Sequence, residues 1–276
     1  MTTRQLLTTA WDWEPSVVVG CAFLLIVYFM WARPRILGKS VLYTTGVIVL
    51  LLALVSPIDT LSDNYLFSVH MIQHLLLILV VAPLMLLGLP RQTAERIVGN
   101  PRLAGVERTF SHPLIAWTIL AAALGLWHVP MFYNYALAHE GVHIFQHLSF
   151  LVAAVIFWWP ILTPISELRL TTGPAVLYLF LATIFNSLLG IIITFVPLGW
   201  YPAYIHPKDE FGALSLIRNQ WGISAAADQQ LGGLLMWVPA GLIYFTIIVL
   251  LVVRWQSQDG LEEPEHPQIA GGQNAA

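Results

Sequence analysis

The fold is decided by long apolar runs, of which residues 68–90 are the clearest: SVHMIQHLLLILVVAPLMLLGLP. After His74 this run contains no polar side chain until Arg91 follows its last proline. A helix that crosses a membrane needs about 20 mostly apolar residues, and this run is long enough. Two histidines, His70 and His74, interrupt its apolar character near the start.

Similar runs recur along the chain and predict seven membrane spans. They cover approximately residues 16–32, 40–57, 68–89, 113–130, 142–162, 174–198 and 229–254. A closed β-barrel also satisfies the backbone in lipid, but these runs are too long and too continuously apolar for its strands. We therefore predict an all-α polytopic membrane protein, a seven-transmembrane-helix bundle over residues 1–255, followed by a disordered cytoplasmic tail at 256–276.

The composition of the chain agrees with a membrane protein. Only 10% of the 276 residues are charged, 58% are hydrophobic, and the mean hydropathy is +0.75. A soluble domain carries about 25% charged residues, so lipid is the expected solvent. The net charge of −3 without a basic tract excludes a nucleic-acid partner. The single cysteine, Cys21, excludes a disulfide framework and a thiolate metal site.

The distribution of basic residues predicts the orientation. Nine Lys and Arg residues fall in the loops after the first, third and fifth spans and beyond the seventh span, and three fall on the opposite side. Cytoplasmic loops are the ones enriched in Lys and Arg. We therefore expect the N-terminus outside and the C-terminus inside, with the chain in a bacterial cytoplasmic membrane.

Ionisable side chains inside a membrane are costly, which makes each of them a functional candidate. His70 and His74 lie four residues apart at the start of the third span, and His143 and His147 repeat this spacing at the start of the fifth. Residues at this spacing share one face of a helix. His128 ends the fourth span, so the predicted orientation places all five histidines in the outer leaflet.

The sequence therefore predicts a metal site formed by His70, His74, His128, His143 and His147. Imidazole suits copper, zinc, iron and nickel, and thioether sulfur from Met71, Met131 or Met236 would favour Cu(I). Asp228 and Gln230 open the seventh span in the same layer. Asp228 is either a solvated helix cap or an outer-shell carboxylate that orients a ligand imidazole, and Gln230 and Met71 are auxiliary candidates.

Two other interpretations of the histidines remain open from the residues alone. His139, Glu140 and His143 match the HExxH pattern, in which two histidines bind zinc and the glutamate activates water in a metalloprotease. Alternatively, the two histidine pairs ligate haem, one histidine from each of two helices, in a membrane redox protein. Isolated histidines such as His112 and His206 are expected to be solvated and without function.

Four blocks of the chain resemble the CtaG family of cytochrome c oxidase assembly factors. They are residues 68–90, the LWHVP stretch at 126–130, the run from 143 to 160 that ends in FWWP, and DQQLGG at 228–233. The resemblance covers roughly residues 15–254 and implies a seven-helix bacterial membrane protein that matures haem–copper oxidases. It also implies that the same five histidines stand at motif positions, whereas His139 and Glu140 are not part of the pattern.

From this resemblance we expect a protein that handles copper and is not an enzyme. The outer-leaflet histidines would bind copper, as Cu(I), and deliver it to an oxidase subunit during assembly. The expected partners are cytochrome c oxidase subunits, other copper-handling assembly proteins and membrane lipid.

Overall fold

The computed structural model describes residues 1–259, and within this range the chain forms helices and no strand, which confirms the all-α prediction. The last helix continues to Asp259, past the predicted end at 255, and the remainder of the predicted tail lies outside the described residues. In chain order, the helices are α1 (Thr3–Thr9), α2 (Pro15–Trp31), α3 (Leu37–Val55), α4 (Pro57–Asn64), α5 (Phe67–Gly88), α6 (Arg91–Val98), α7 (Pro101–Phe110), α8 (Pro113–Trp127), α9 (Pro130–Ala138), α10 (Glu140–Leu162), α11 (Thr172–Phe195), α12 (Pro202–Ile205) and α13 (Ala225–Asp259).

Five helices, α3, α5, α10, α11 and α13, are long and apolar enough to cross a membrane. The pair α8 and α9 would make a sixth span, but the chain bends by 75° between them, where Pro130 begins the second helix. Helix α2 has 17 residues, fewer than the about 20 that a spanning helix needs. The fold is therefore that of a membrane protein with five or six apolar spans; the seventh span and the orientation stay predictions.

Helix α5 lies at the centre and packs against α3, α4, α10 and α13. Its middle, Leu76–Val81, is a π-helical segment. In the i→i−5 pattern of this segment, an N–H at position 83 would bond the carbonyl oxygen of Ile78, but Pro83 has no N–H. The carbonyl oxygen of Ile78 instead accepts a hydrogen bond of 2.8 Å from the indole N–H of Trp158 on α10. Wide turns of this kind are frequent at functional sites, and this one directly follows the helical segment that carries the histidines.

Large apolar side chains cover the outside of the bundle. Phe195, Phe245 and Leu250 are 79%, 63% and 62% exposed, respectively. Exposed apolar surface of this extent is unusual in a soluble monomer and is what a lipid bilayer would cover. The basic Lys39 and Arg91 lie near the C-terminal end of α5, opposite its histidines: Lys39 donates to the carbonyl oxygen of Leu87, and Arg91 begins α6.

Candidate metal centre

Two histidines lie one turn apart at the start of α5. His70 and His74 are 1% and 2% exposed, and their ring centroids are 4.3 Å apart. The helix begins after the extended residue Leu66. Its first two N–H groups donate hydrogen bonds to the carboxylate of Asp228 on α13. The i, i+4 spacing then directs both rings to the same face, towards the interior of the bundle.

A matching pair of histidines faces them from α10. The ring centroids of His143 and His147 are also 4.3 Å apart. The ring of His70 lies 5.3 Å from that of His143 and 5.8 Å from that of His147. The ring of His74 lies 5.6 Å from that of His147. The four imidazoles therefore form one continuous cluster across the contact between the two helices.

His128 joins this cluster from the end of α8, where it is the first residue after the helix. Its ring centroid lies 5.7 Å from that of His74. Its Nδ1 lies 2.7 Å from the carbonyl oxygen of Leu124, so Nδ1 carries the proton and Nε2 offers a lone pair. The structure thus brings together all five histidines that the sequence analysis selected.

The cluster contains buried ring nitrogens without a hydrogen-bond partner. They are both ring nitrogens of His70 and His74, and the Nε2 atoms of His128, His143 and His147. Buried polar atoms are normally paired, and leaving one unpaired destabilises a fold by about 1–3 kcal/mol. A bound cation would give these lone pairs a partner.

Two groups of three residues have ligand atoms close enough to share an ion. The imidazole site consists of His70, His74 and His147, and the carboxylate site consists of Asp63, His70 and His143. Within each site the three ligand atoms lie within 4.8 Å of one another. His70 belongs to both sites. His128 belongs to neither site in the described part of the chain, although its ring borders the imidazole site.

Asp63 is the candidate that the sequence analysis missed. One carboxylate oxygen lies 3.3 Å from His143 Nδ1, and the other lies 3.8 Å from His70 Nδ1. The hydroxyl of Ser62 donates a hydrogen bond of 2.8 Å to the same carboxylate. Asp63 therefore adds a negative charge and two oxygen ligands to one edge of the histidine cluster.

A signal for Asp63 was present in the sequence of α4. Ser56 accepts a hydrogen bond from the N–H of Ile58, and Pro57 occupies the first turn, as is typical of a helix start. On a helix that begins there, Asp59 and Asp63 stand at i and i+4 and share one face. In the predicted topology this segment only connects the second and third spans, and the spacing carries no role there.

The two carboxyl groups of α4 differ in their charge. Burial raises the pKa of Asp59, and the nearby charge of Asp63 raises it further. Burial also opposes ionisation of Asp63, but the imidazoles of His143 and His70 lower the pKa of its carboxyl below the ordinary value. A hydrogen bond of 2.7 Å that Gln73 donates to Asp59 lowers the pKa of Asp59, but it does not offset the effects of burial and of the Asp63 charge. Asp63 is therefore the member of the pair that carries the negative charge beside the histidines.

Asp228 is buried and caps the start of α5 from another helix. It is 0% exposed, so it is not a solvated cap. Its carboxylate accepts hydrogen bonds from the N–H of Phe67, and from the N–H and hydroxyl of Ser68. Within residues 1–259 no hydrogen bond joins it to an imidazole. Asp228 instead caps α5 from another helix and so positions the segment that carries His70.

The auxiliary candidates occupy different environments. Met71 is fully buried and, together with His74 and Met236, lines a small internal cavity. Two methionine side chains therefore share this cavity with one histidine of the imidazole site. Gln230 is exposed on α13, and Met131 is 68% exposed, so these two side chains lie outside the buried cluster.

The structure does not assemble the HExxH arrangement of His139, Glu140 and His143. His139 precedes α10 with an extended backbone, and its ring stacks on Tyr135 with a centroid distance of 4.1 Å. The motif requires both histidines on one helical face. His143 instead belongs to the carboxylate site, which does not include His139.

A cavity of about 670 Å³ adjoins the cluster. Most of its wall is apolar and comes from α2, α3 and α10, and both His143 and His147 contribute to it. Its acidic lining residues are Asp12, Glu14, Asp59, Asp63 and Glu140. No Lys or Arg is among the described residues that line it. A cleft lined by charges of one sign attracts ions of the opposite sign, so this cavity favours cations.

The chain is similar to uncharacterized proteins of three mycobacteria. It is 28% identical over 241 residues to an uncharacterized protein of Mycobacterium bovis and to one of Mycobacterium tuberculosis, with 80% of this chain and 34% of each relative covered. A protein of Mycobacterium leprae is 25% identical over 239 residues. The chain spans about a third of the length of these curated relatives. No solved structure matches it at a significant level.

The family is identified by a match that covers most of the chain. The sequence model of the cytochrome c oxidase caa3 assembly factor family matches residues 21–258, which include every histidine of the cluster and both aspartates that contact or position it. This match confirms the resemblance inferred from the four sequence blocks, and the chain belongs to the family of caa3-type cytochrome c oxidase assembly factors.

Proposed function

We propose that the protein binds copper at the buried histidine cluster and delivers it to a subunit of a haem–copper oxidase during assembly. The metal is cargo that the protein takes up and releases, and the protein breaks and forms no covalent bond. Its partners are oxidase subunits and other copper-handling assembly proteins. The family match supports the assembly role, and the donor atoms of the cluster support the cargo.

The observation that carries the proposal is the imidazole site. Its three histidines come from two helices and have ligand atoms within 4.8 Å of one another, and their Nε2 atoms lack hydrogen-bond partners. Neutral imidazole suits copper, and the neighbouring thioethers of Met71 and Met236 are soft ligands that favour Cu(I). Without a thiolate among its donors, the site holds copper less firmly than a cysteine site, which suits a carrier.

Haem fits this arrangement poorly. The rings of His70 and His143, which come from facing helices, are stacked with an interplanar angle of 20° and a centroid distance of 5.3 Å. A porphyrin ligated from both helices would have to force α5 and α10 apart. In the adjacent cavity, the propionates of a haem would approach the acidic lining, where like charges repel. Both features favour a small cation over haem.

The direct test is a Cu(I) competition titration of the purified full-length protein under anaerobic conditions, together with elemental analysis and an absorption spectrum. We expect one tightly bound copper and no Soret band. A protein that binds no copper would contradict the proposal, and an intense Soret band in the protein as isolated would support the haem alternative.

A second experiment tests delivery in cells. We expect a strain that lacks the protein to make oxidase polypeptides but to have low oxidase activity, and added copper to restore part of the activity by mass action. The His70→Ala, His74→Ala double variant should fail to complement the strain at normal expression, whereas His206→Ala should complement it. Complementation by the double variant would contradict copper delivery.

The proposed location is a bacterial cytoplasmic membrane, with the histidine end of the bundle outside. This follows from the excess of Lys and Arg in the loops at the opposite end. A reporter fused after Arg254 should be cytoplasmic, and one inserted in the 199–227 loop should be external. A cytoplasmic 199–227 loop would reverse the orientation and place copper uptake on the inner side.

A further inference from the structure

The proposed delivery from the imidazole site makes no use of the carboxylate site, which consists of Asp63, His70 and His143. It is the more accessible of the two sites: the side chains of Asp63 and His143 are 28% and 12% exposed. His74 and His147 are 2% and 8% exposed. His70 is common to both sites, and both of its ring nitrogens lack a hydrogen-bond partner.

The cavity connects the carboxylate site with the surface. Asp63 and His143 line it, as does the exposed Glu140, whereas His70 and His74 do not. His147 also lines the cavity, and its buried Nε2 has no hydrogen-bond partner. A cation in the cavity therefore meets Asp63, His143 and His147 before it reaches His70 and His74.

We infer that the carboxylate site receives a cation from the cavity and passes it to the imidazole site, with His70 as a ligand in both positions. This inference rests on the proposed function, because it assigns the route by which the same cargo reaches its buried site. In the transfer, Asp63 and His143 are exchanged for His74 and His147. Because the sites share His70, one ion uses them in turn.

The chemistry of the ligands supports this order. The charge of Asp63 attracts a hydrated cation. Three imidazoles beside thioether sulfur hold a soft ion such as Cu(I) more tightly than a carboxylate oxygen does, so the ion moves inward. The cation loses its bound water in two steps, because the carboxylate site has one partly exposed edge and the imidazole site is buried. The oxidation state of the ion does not change in the transfer.

The test uses the full-length protein in detergent and Zn²⁺ as the probe, because Zn²⁺ binds both imidazole and carboxylate and has no redox chemistry. Asp63→Asn keeps the size of the side chain and an acceptor for Ser62 but removes the charge. We expect this variant to take up Zn²⁺ about tenfold more slowly in stopped flow, with the final occupancy unchanged. His143→Asn should show the same slowing. Glu210→Gln removes an exposed carboxylate outside the cavity and should leave the rate unchanged.

Equilibrium binding separates the two sites. His74→Ala removes a ligand of the imidazole site alone, so we expect it to keep one weakly bound Zn²⁺, and Asp63→Asn added to it should abolish that binding. The transfer route would be overturned if both Asp63→Asn and His143→Asn took up Zn²⁺ at the wild-type rate. It would also be overturned if the His74→Ala protein bound Zn²⁺ equally well with and without Asp63→Asn. Failure of the wild-type protein to bind either Zn²⁺ or copper would instead overturn the proposed function, so the two failures are distinguishable.

Discussion

Two helix contacts in this bundle are built on opposite principles. Helices α11 and α13 meet through small residues: a Cβ added to Gly233 would lie 2.6 Å from the backbone nitrogen of Thr194, so only glycine fits there. Helices α5 and α10 meet instead through histidine rings such as those of His70 and His143. In lipid, close packing of small residues stabilises helix association, whereas unpaired buried polar atoms oppose it. The first contact favours stability, and our proposal assigns metal binding to the second.

The largest expected effect is a loss of metal binding when the histidine contact between α5 and α10 is changed. The His74→Ala, His147→Ala double variant should weaken copper binding by more than about 100-fold, beyond the 10–100-fold typical of changes to outer-shell partners. Its metal-free thermal stability should be unchanged or higher, because unpaired buried nitrogens are removed. The His112→Ala, His206→Ala variant changes two exposed histidines and should bind copper normally. A marked loss of metal-free stability in the first variant would mean that the histidines hold the helices together.

The converse effect is expected at the first contact. Gly233→Ala should lower the free energy of unfolding by about 1–3 kcal/mol through overpacking against Thr194. Gly173 on α11 has no neighbour within 4 Å of its added Cβ, so Gly173→Ala is the matched control and should be neutral or slightly stabilising. Thermal unfolding of the metal-free protein in detergent measures both. If the two variants are equally stable, close packing is not what holds α11 against α13.

Asp228 links the two contacts, since it lies on α13 and caps α5. Asp228→Asn should lower the free energy of unfolding by about 1.5–3 kcal/mol, the usual contribution of hydrogen bonds to a charged group. It should also weaken copper binding by about tenfold, because the start of the histidine-bearing helix is less well held. Unfolding and Cu(I) competition on the same sample separate the two effects. Unchanged copper affinity in a destabilised variant would confine Asp228 to a role in stability.

The smallest effect should come from His128, which borders the imidazole site without belonging to it. We expect His128→Ala to weaken copper binding by about tenfold, the lower end of the 10–100-fold loss that changes to outer-shell partners typically cause. The Cu(I) competition titration that measures His74→Ala serves here as well. A loss as large as that of His74→Ala would make His128 a direct ligand and enlarge the site to four imidazoles.

Much of the fold was predictable because its signals are local. The apolar runs and the Pro, Gly and charged residues that bound them predicted helices within a few residues of α3, α5, α10 and α11. The break before Pro130 and the short α2 show the limit of this reasoning. An apolar run predicts that a segment avoids water, but the angle at which a chain continues after a break depends on what the next helix packs against.

The sequence by itself determined the membrane character, the helices and the membership of the five histidines in one cluster, because spacing and the alternation of spans place residues on a face and at a depth. Only the tertiary structure decided which three imidazoles lie close enough to share an ion, that Asp63 lies beside His70 and His143, and that the carboxylate of Asp228 caps α5. Those relations join α4, α5, α10 and α13. They depend on the rotation of each helix about its axis and on its position along its neighbours. Packing fixes both to within a few ångströms, and no local pattern of residues specifies them.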